Sequence, residues 1–261
     1  MKLPMADEPL IAVFVDFENL AIGVQEMKWG DFRVDLVLKR LLEKGRIVYK
    51  RAYGDWSRHA AAAREFHGEG VDLVDIPTGR QGGKNSADIR MVVDALDLCY
   101  ARHHIDHFAL LSGDSDFTPL VSKLKENDKR VIGCGVKSST SSLLRRGCDE
   151  FIFYDDLVRE TVRPKRAPAA KSSSSSSPSS KKQDALDRLM DIVFSLERDY
   201  EPLWGSLVKQ TIRRVHPGFN EEYYGYASFT ELLEDASGQG LIDIEYDKTR
   251  GNYIVRLPRR T

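Results

Sequence analysis

A chain of 261 residues is longer than one ordinary small domain and has room for two, and its 41% hydrophobic and 30% charged residues exclude a wholly disordered polypeptide. Lysine plus arginine (39) nearly cancels aspartate plus glutamate (40), so any nucleic-acid surface must come from local clustering and not from net charge. The apolar run Leu10 to Val15 falls far short of a bilayer span of about 20 residues, and the three cysteines, lacking C-x-x-C spacing, support neither a disulfide framework nor a zinc site. A reducing cytoplasm with no membrane partner is the expected setting.

In chain order, short runs rich in Val, Ile, Leu and Phe are read as strands at 10–16, 46–53, 71–76, 108–111 and 130–135, with amphipathic helical stretches between them. That alternation predicts an α/β domain, a parallel sheet with helices on both faces, over residues 1–162. Residues 163–182 hold six serines from Ser172 to Ser177 among Pro, Lys and Arg, with no acid and no large apolar residue, and are read as a flexible, positively charged linker. Residues 183–261 change grammar. Helices are expected at 184–199, 203–214 and 228–237, followed by strands at 241–246 and 252–257 joined by a turn at Lys248-Thr249-Arg250-Gly251. Three helices and a hairpin predict a winged helix-turn-helix domain.

In open α/β sheets the ligand site lies beyond the carboxyl ends of the strands. There the first strand ends in Asp16-Phe17-Glu18-Asn19, a later one leads into Ser112-Gly113-Asp114-Ser115-Asp116, and Asp88 opens the helix after Lys84-Asn85-Ser86. Asp16, Asp88, Asp114 and Asp116 are therefore expected on one rim, where hard oxygen donors without matching cations suit Mg²⁺ or Mn²⁺. Such an ion can activate water against a phosphodiester. Asn19 and Ser112 are short polar residues able to orient water or phosphate, and Asp94, deeper in the same helix, is a supporting candidate. Taken singly, each aspartate is equally explained as a turn or helix cap.

Phe14-Val15-Asp16-Phe17-Glu18-Asn19, Lys84-x-x-x-Asp88 with Val93-Asp94-Ala95-Leu96, and Ser112-Gly113-Asp114-Ser115-Asp116-Phe117 together resemble an NYN domain of the PIN-like nucleases, across about residues 10–158. The resemblance implies a PIN-like fold, metal binding by Asp16, Asp88, Asp114 and Asp116, and endoribonuclease activity. His216-Pro217-Gly218-Phe219 followed by Tyr224-Gly225-Tyr226-Ala227-Ser228-Phe229 resembles a LOTUS, or OST-HTH, domain, which implies RNA binding, with G-rich or G-quadruplex RNA as one ligand. Arg58, Arg80 and Lys84 beside the acidic rim, and Lys209, Arg213, Arg214, Lys248 and Arg250 in the second domain, are the basic residues placed to meet RNA. Each is otherwise ordinary solvated charge. Phe219, Phe229 and Leu232 are read as core.

Gly79 to Ser86 imitates a phosphate-binding P-loop but has three residues, not four, between Gly79 and Gly83 and has Asn85 after Lys84, so nucleotide hydrolysis is not expected. His103, His104 and His107 are read as solvated, and Asp16-Phe17-Glu18 lacks the Asp-x-Asp of an aspartyl-phosphate enzyme. The remaining alternative to a nuclease is a non-catalytic RNA-binding adaptor that retains an acidic pocket.

Overall fold

The computed structural model describes residues 8–27, 30–77, 85–162 and 178–258. The chain divides into two compact units. In the first, strands β1 (Leu10–Asp16), β2 (Arg46–Gly54), β3 (Asp72–Asp75), β4 (His107–Leu111), β5 (Arg130–Gly135) and β6 (Glu150–Phe153) form a sheet of order β3-β2-β1-β4-β5-β6. All five strand pairings are parallel.

β1 shows why helices cover both faces. Its residues Ile11 to Val15 are each 0% exposed, and alternate side chains enter different cores, as the two-residue period of a strand requires. Ile11, Val13 and Val15 join Leu20 and Val24 of α1 (Phe17–Glu26), Val37 and Leu41 of α2 (Val34–Lys44), Phe66 of α3 (Ala60–Gly68) and Leu157 of α7 (Tyr154–Val162). Ala12 and Phe14 join Met91, Ala95 and Cys99 of α4 (Ser86–Ala101), Leu120 and Leu124 of α5 (Thr118–Glu126) and Leu144 of α6 (Ser142–Gly147).

The order of the strands reverses between β1 and β4, so the connections leave those two neighbours on opposite sides and open a crevice at their carboxyl ends. Register then fixes the contents of that crevice. Val15 pairs with Leu111, so Asp16 and Ser112, each one residue further on, emerge side by side.

β6 was not among the expected strands. Its four residues Glu-Phe-Ile-Phe are too few for periodicity to declare, and it is held by pairing Ile132 to Gly135 of β5 against Glu150 to Phe153.

The second unit contains α8 (Pro178–Leu196), β7 (Leu203–Trp204), α9 (Gly205–Val215), α10 (Phe229–Gly238), β8 (Asp243–Asp247) and β9 (Asn252–Arg256), with an antiparallel sheet of order β7-β9-β8. Leu186, Leu189, Val193 and Leu196 recur at helical spacing on α8 and meet Val208, Ile212, Leu232 and Val255 in one core, together with Phe219 and Phe229. Ser228 caps α10 by accepting from the Glu231 N–H, while Glu231 accepts from the Ala227 N–H. The expected turn is formed: the Gly251 N–H donates to the Asp247 carbonyl at 2.8 Å with Gly251 at φ +63°, a conformation natural to glycine.

Two boundaries differ from expectation. Leu203 and Trp204 are not the start of a helix but pair with Val255 and Ile254, so α9 begins at Gly205. Residues 178–182, assigned to the linker, are the first turns of α8: Pro178 suits the first helical position, and Lys181 and Lys182 lie over the rings of Tyr223 and Tyr226. Residues 163–177 of the expected linker lie outside the described residues.

Candidate functional site

Asp16, 6% exposed, ends β1 and caps α1. One carboxylate oxygen accepts from the Asn19 N–H at 3.3 Å and the other from the Ser112 hydroxyl at 2.9 Å. The Ser112 hydroxyl in turn accepts from the Asp114 N–H at 3.1 Å, and Asp114 accepts from the Asp116 N–H at 2.9 Å. The Asn19 side-chain oxygen closes the ring by accepting from the Gly113 N–H at 2.9 Å. Five short polar contacts thus join the ends of β1 and β4 into one braced turn.

Asn19 and Ser112, expected as supporting residues, stand inside this network. Ser112 is 0% exposed, its hydroxyl donates to Asp16 and accepts from the Asp114 N–H, and the Asn19 amide oxygen accepts from the Gly113 N–H, so both residues position the acidic turn. Gly113 is demanded by space: a Cβ there would lie 2.9 Å from the Ser139 carbonyl oxygen and 3.0 Å from Thr140 Cα. The loop after β5, whose Ser141 N–H donates to the Gly113 carbonyl at 2.9 Å, is therefore the wall behind the acidic turn. Sequence reasoning did not find that wall; the run of Ser and Thr from Ser138 to Ser142 was its only mark.

Asp88 lies in the first turn of α4, as expected, and is half-buried. Burial pushes its carboxyl up, and the charges of Asp114, Asp116 and Glu18 push it further, against the favourable end of the helix dipole. Asp16 is pushed up to about 7: burial is the largest cause, the Ser112 and Asn19 hydrogen bonds oppose it, and the Asp88 and Asp114 charges reinforce it. Glu18, not singled out in the sequence, belongs to the same field, and its carboxylate also accepts from the Asp55 N–H at 3.1 Å.

Asp16, Asp88, Asp114 and Asp116 thus share one electrostatic neighbourhood, and none of them is ion-paired with a cation among the described residues. Among the described residues no three His, Cys, Asp or Glu side chains stand close enough to hold one ion together. The donor chemistry nevertheless fits Mg²⁺ or Mn²⁺, because such ions commonly take only one or two protein carboxylates and complete their shell with water and phosphate oxygen.

Asp94 does not join this group. It accepts from Arg51 at 2.8 Å, Tyr53 at 2.9 Å and Arg90 at 2.9 Å, tying α4 to β2. Burial opposes its ionisation, but those three hydrogen bonds outweigh it and hold the carboxyl below the usual range. Its support of the site runs through the placement of α4.

Arg58 follows the carboxyl end of β2 in a short turn, 68% exposed, with its guanidinium 3.4 Å from Asp55. Arg80 and Lys84 lie outside the described residues. In the second unit, Lys209 and Arg213 both face Glu221, at 3.7 and 3.0 Å, and Arg214 donates to Thr211 at 2.9 Å. Lys248 and Arg250 occupy the β8–β9 turn, with the Arg250 guanidinium 4.9 Å from the Trp204 ring centroid. No helix among the described residues is long and apolar enough to cross a membrane.

An uncharacterized protein of Methanocaldococcus jannaschii, MJ0482, is 29% identical over 164 residues, 61% of this chain. The chain spans 62% of that protein's length. A protein of unknown function from Vibrio parahaemolyticus, VPA0982, shares the fold in its crystal structure, with a TM-score of 0.52 at 23% identity, covering 59% of this chain and 98% of that one. Residues 10–155, the segment that carries the whole acidic rim, match the NYN domain, and the chain belongs to that family, a branch of the PIN-like nucleases.

Proposed function

We propose that the chain is a metal-dependent endoribonuclease that hydrolyses RNA phosphodiester bonds at the rim formed by Asp16, Asp88, Asp114 and Asp116. The observation that carries this reading is four carboxylates at the strand-order reversal whose mutual repulsion no cation relieves among the described residues. Asp16 and Asp114, fixed by Ser112 and Asn19, are the residues that would hold Mg²⁺ or Mn²⁺, with Asp88 and Asp116 facing the same field. When bound, such an ion supplies an acidified water and neutralises charge on the scissile phosphate. The protein's part is to keep Asp16 ionised at neutral pH once positive charge arrives, to hold the turn of Asp114 rigid through Gly113, and to present Arg58 to the RNA backbone.

The second unit, with its helices followed by a β-hairpin, is read as a winged helix-turn-helix domain resembling LOTUS that recruits RNA to the nuclease. A second reading, a non-catalytic RNA-binding adaptor, is favoured by one observation, the lack of a three-ligand cluster among the described residues. Incubating the full chain with labelled single-stranded, hairpin and G-rich RNAs in Mg²⁺, Mn²⁺ or EDTA separates the two. Cleavage that EDTA abolishes and added metal restores is the expected result; RNA bound but uncut in every metal establishes the adaptor.

A further inference from the structure

The second unit carries a better-built surface for a single strand than the basic residues of α9. Tyr223 is 61% exposed, yet its ring is braced: it meets Tyr224 edge-on with centroids 5.1 Å apart, and Tyr224 stacks on Phe219 at 5.1 Å. Tyr224 and Phe219 are each 6% exposed, so a ladder of rings runs from the core to an open face. The Lys181 ammonium lies 4.3 Å from the centroid of Tyr223 and has no carboxylate partner among the described residues. Lys182 stands 4.6 Å from the Tyr226 centroid and Arg188 5.9 Å from that of Tyr224. Arg188 is itself paired with Asp184 at 3.2 Å, which leaves Lys181 as the cation nearest the exposed ring, and on α9 the cations are compensated as well. Glu221 faces both Lys209 and Arg213, and the hairpin that presents Lys248 and Arg250 also bears Asp243, Glu245 and Asp247.

An exposed, immobilised ring beside an uncompensated ammonium is the arrangement that binds single-stranded nucleic acid: a base stacks on the ring and the neighbouring phosphate meets the cation. Immobilisation matters because a ring already fixed by its neighbours loses little rotamer freedom when a base covers it. We propose that Tyr223, with Lys181 and Lys182, is the single-stranded RNA contact of the second unit, a base stacking on Tyr223 and a flanking phosphate on Lys181. This rests on the reading of that unit as the RNA-recruiting one and assigns the contact to the α8 edge instead of α9. Charge complementarity supports a polyanion there, since Lys181 and Lys182 are consecutive and residues 178–183 contain no acidic side chain.

The test is fluorescence anisotropy of a short labelled oligoadenylate with the full chain in EDTA, so that nothing is cut. Tyr223→Ala weakens binding about 5- to 100-fold while Tyr223→Phe, which keeps the ring, binds as the native chain does. Lys181→Ala weakens binding and lowers the salt slope by about 0.7. Native-strength binding by Tyr223→Ala, with loss in the Lys209→Ala or Arg213→Ala variant, overturns this assignment and leaves RNA recruitment by the second unit standing. Failure of the native chain to bind any single-stranded RNA overturns both.

Discussion

One carboxylate and a cluster of five lie on the first unit in contrasting surroundings, with opposite fates. Asp94 is surrounded by Arg51, Arg90 and the Tyr53 hydroxyl and is held below the usual carboxylate range. Asp16 and Asp88 receive at most hydroxyl and amide donors, sit among Asp114, Asp116 and Glu18, and are raised. The first arrangement is a completed structural network. The second is a cluster with no cation paired to it among the described residues, the condition that the proposed divalent cation would satisfy. An acidic residue is informative about function through what surrounds it, not through its charge.

The contrast can be broken in several places. The largest effect is expected from Asp88→Asn or Asp114→Asn, each of which should lower single-turnover RNA cleavage about 10³-fold, since charge stabilisation of several kcal/mol is lost. Because the same change removes a like charge, melting in EDTA should rise, by about 2 °C. Asp94→Ala should do the reverse. It strands a partly buried Arg51 and should cost about 2 kcal/mol in urea unfolding, while cleavage per folded molecule changes little. Loss of cleavage without loss of stability would move Asp94 into the site. Gly113→Ala should cost about 1–2 kcal/mol, because the Ser139 carbonyl and Thr140 must give way, and should slow cleavage by displacing Asp114.

The smallest effect concerns pH. Asp94 has a lowered carboxyl pKa when folded, so its contribution to stability is present above the unfolded value of 3.8 and is lost as pH falls through the lower folded value. The stability gap between the native chain and Asp94→Asn, measured by urea unfolding, should therefore be constant from pH 7 to about 5 and close below about 4. A gap that widens on acidification would contradict the network.

Much of this was legible in the sequence. The continuous apolar run Leu10–Val15 ending in Asp16, and the run ending in Ser112-Gly113-Asp114, declared two buried parallel strands with acidic carboxyl ends. Local order sufficed there because strand and site are adjacent in the chain. What depends on distant partners was hidden. Arg90 is a local partner of Asp94, four residues away, but the second cation, Arg51, is 43 residues away, and the partner of Asp16 is Ser112, 96 residues away. Lys209 and Arg213 read as free charges until α9 is seen to bring them to Glu221. The strands β6 and β7 escaped because four and two residues show no period, and their pairing supplies the reason they are extended.

The most direct test is Asp16→Asn, measured for cleavage and for RNA binding in the same preparation. Asparagine can still cap α1 through its amide oxygen while its amide NH2 donates to the Ser112 hydroxyl in place of the present bond, so the fold should be retained while the carboxylate is lost. The account predicts that RNA affinity stays within about twofold and that Mn²⁺-dependent cleavage disappears; metal-dependent cleavage at the native rate would show that the acidic rim is not the nuclease centre.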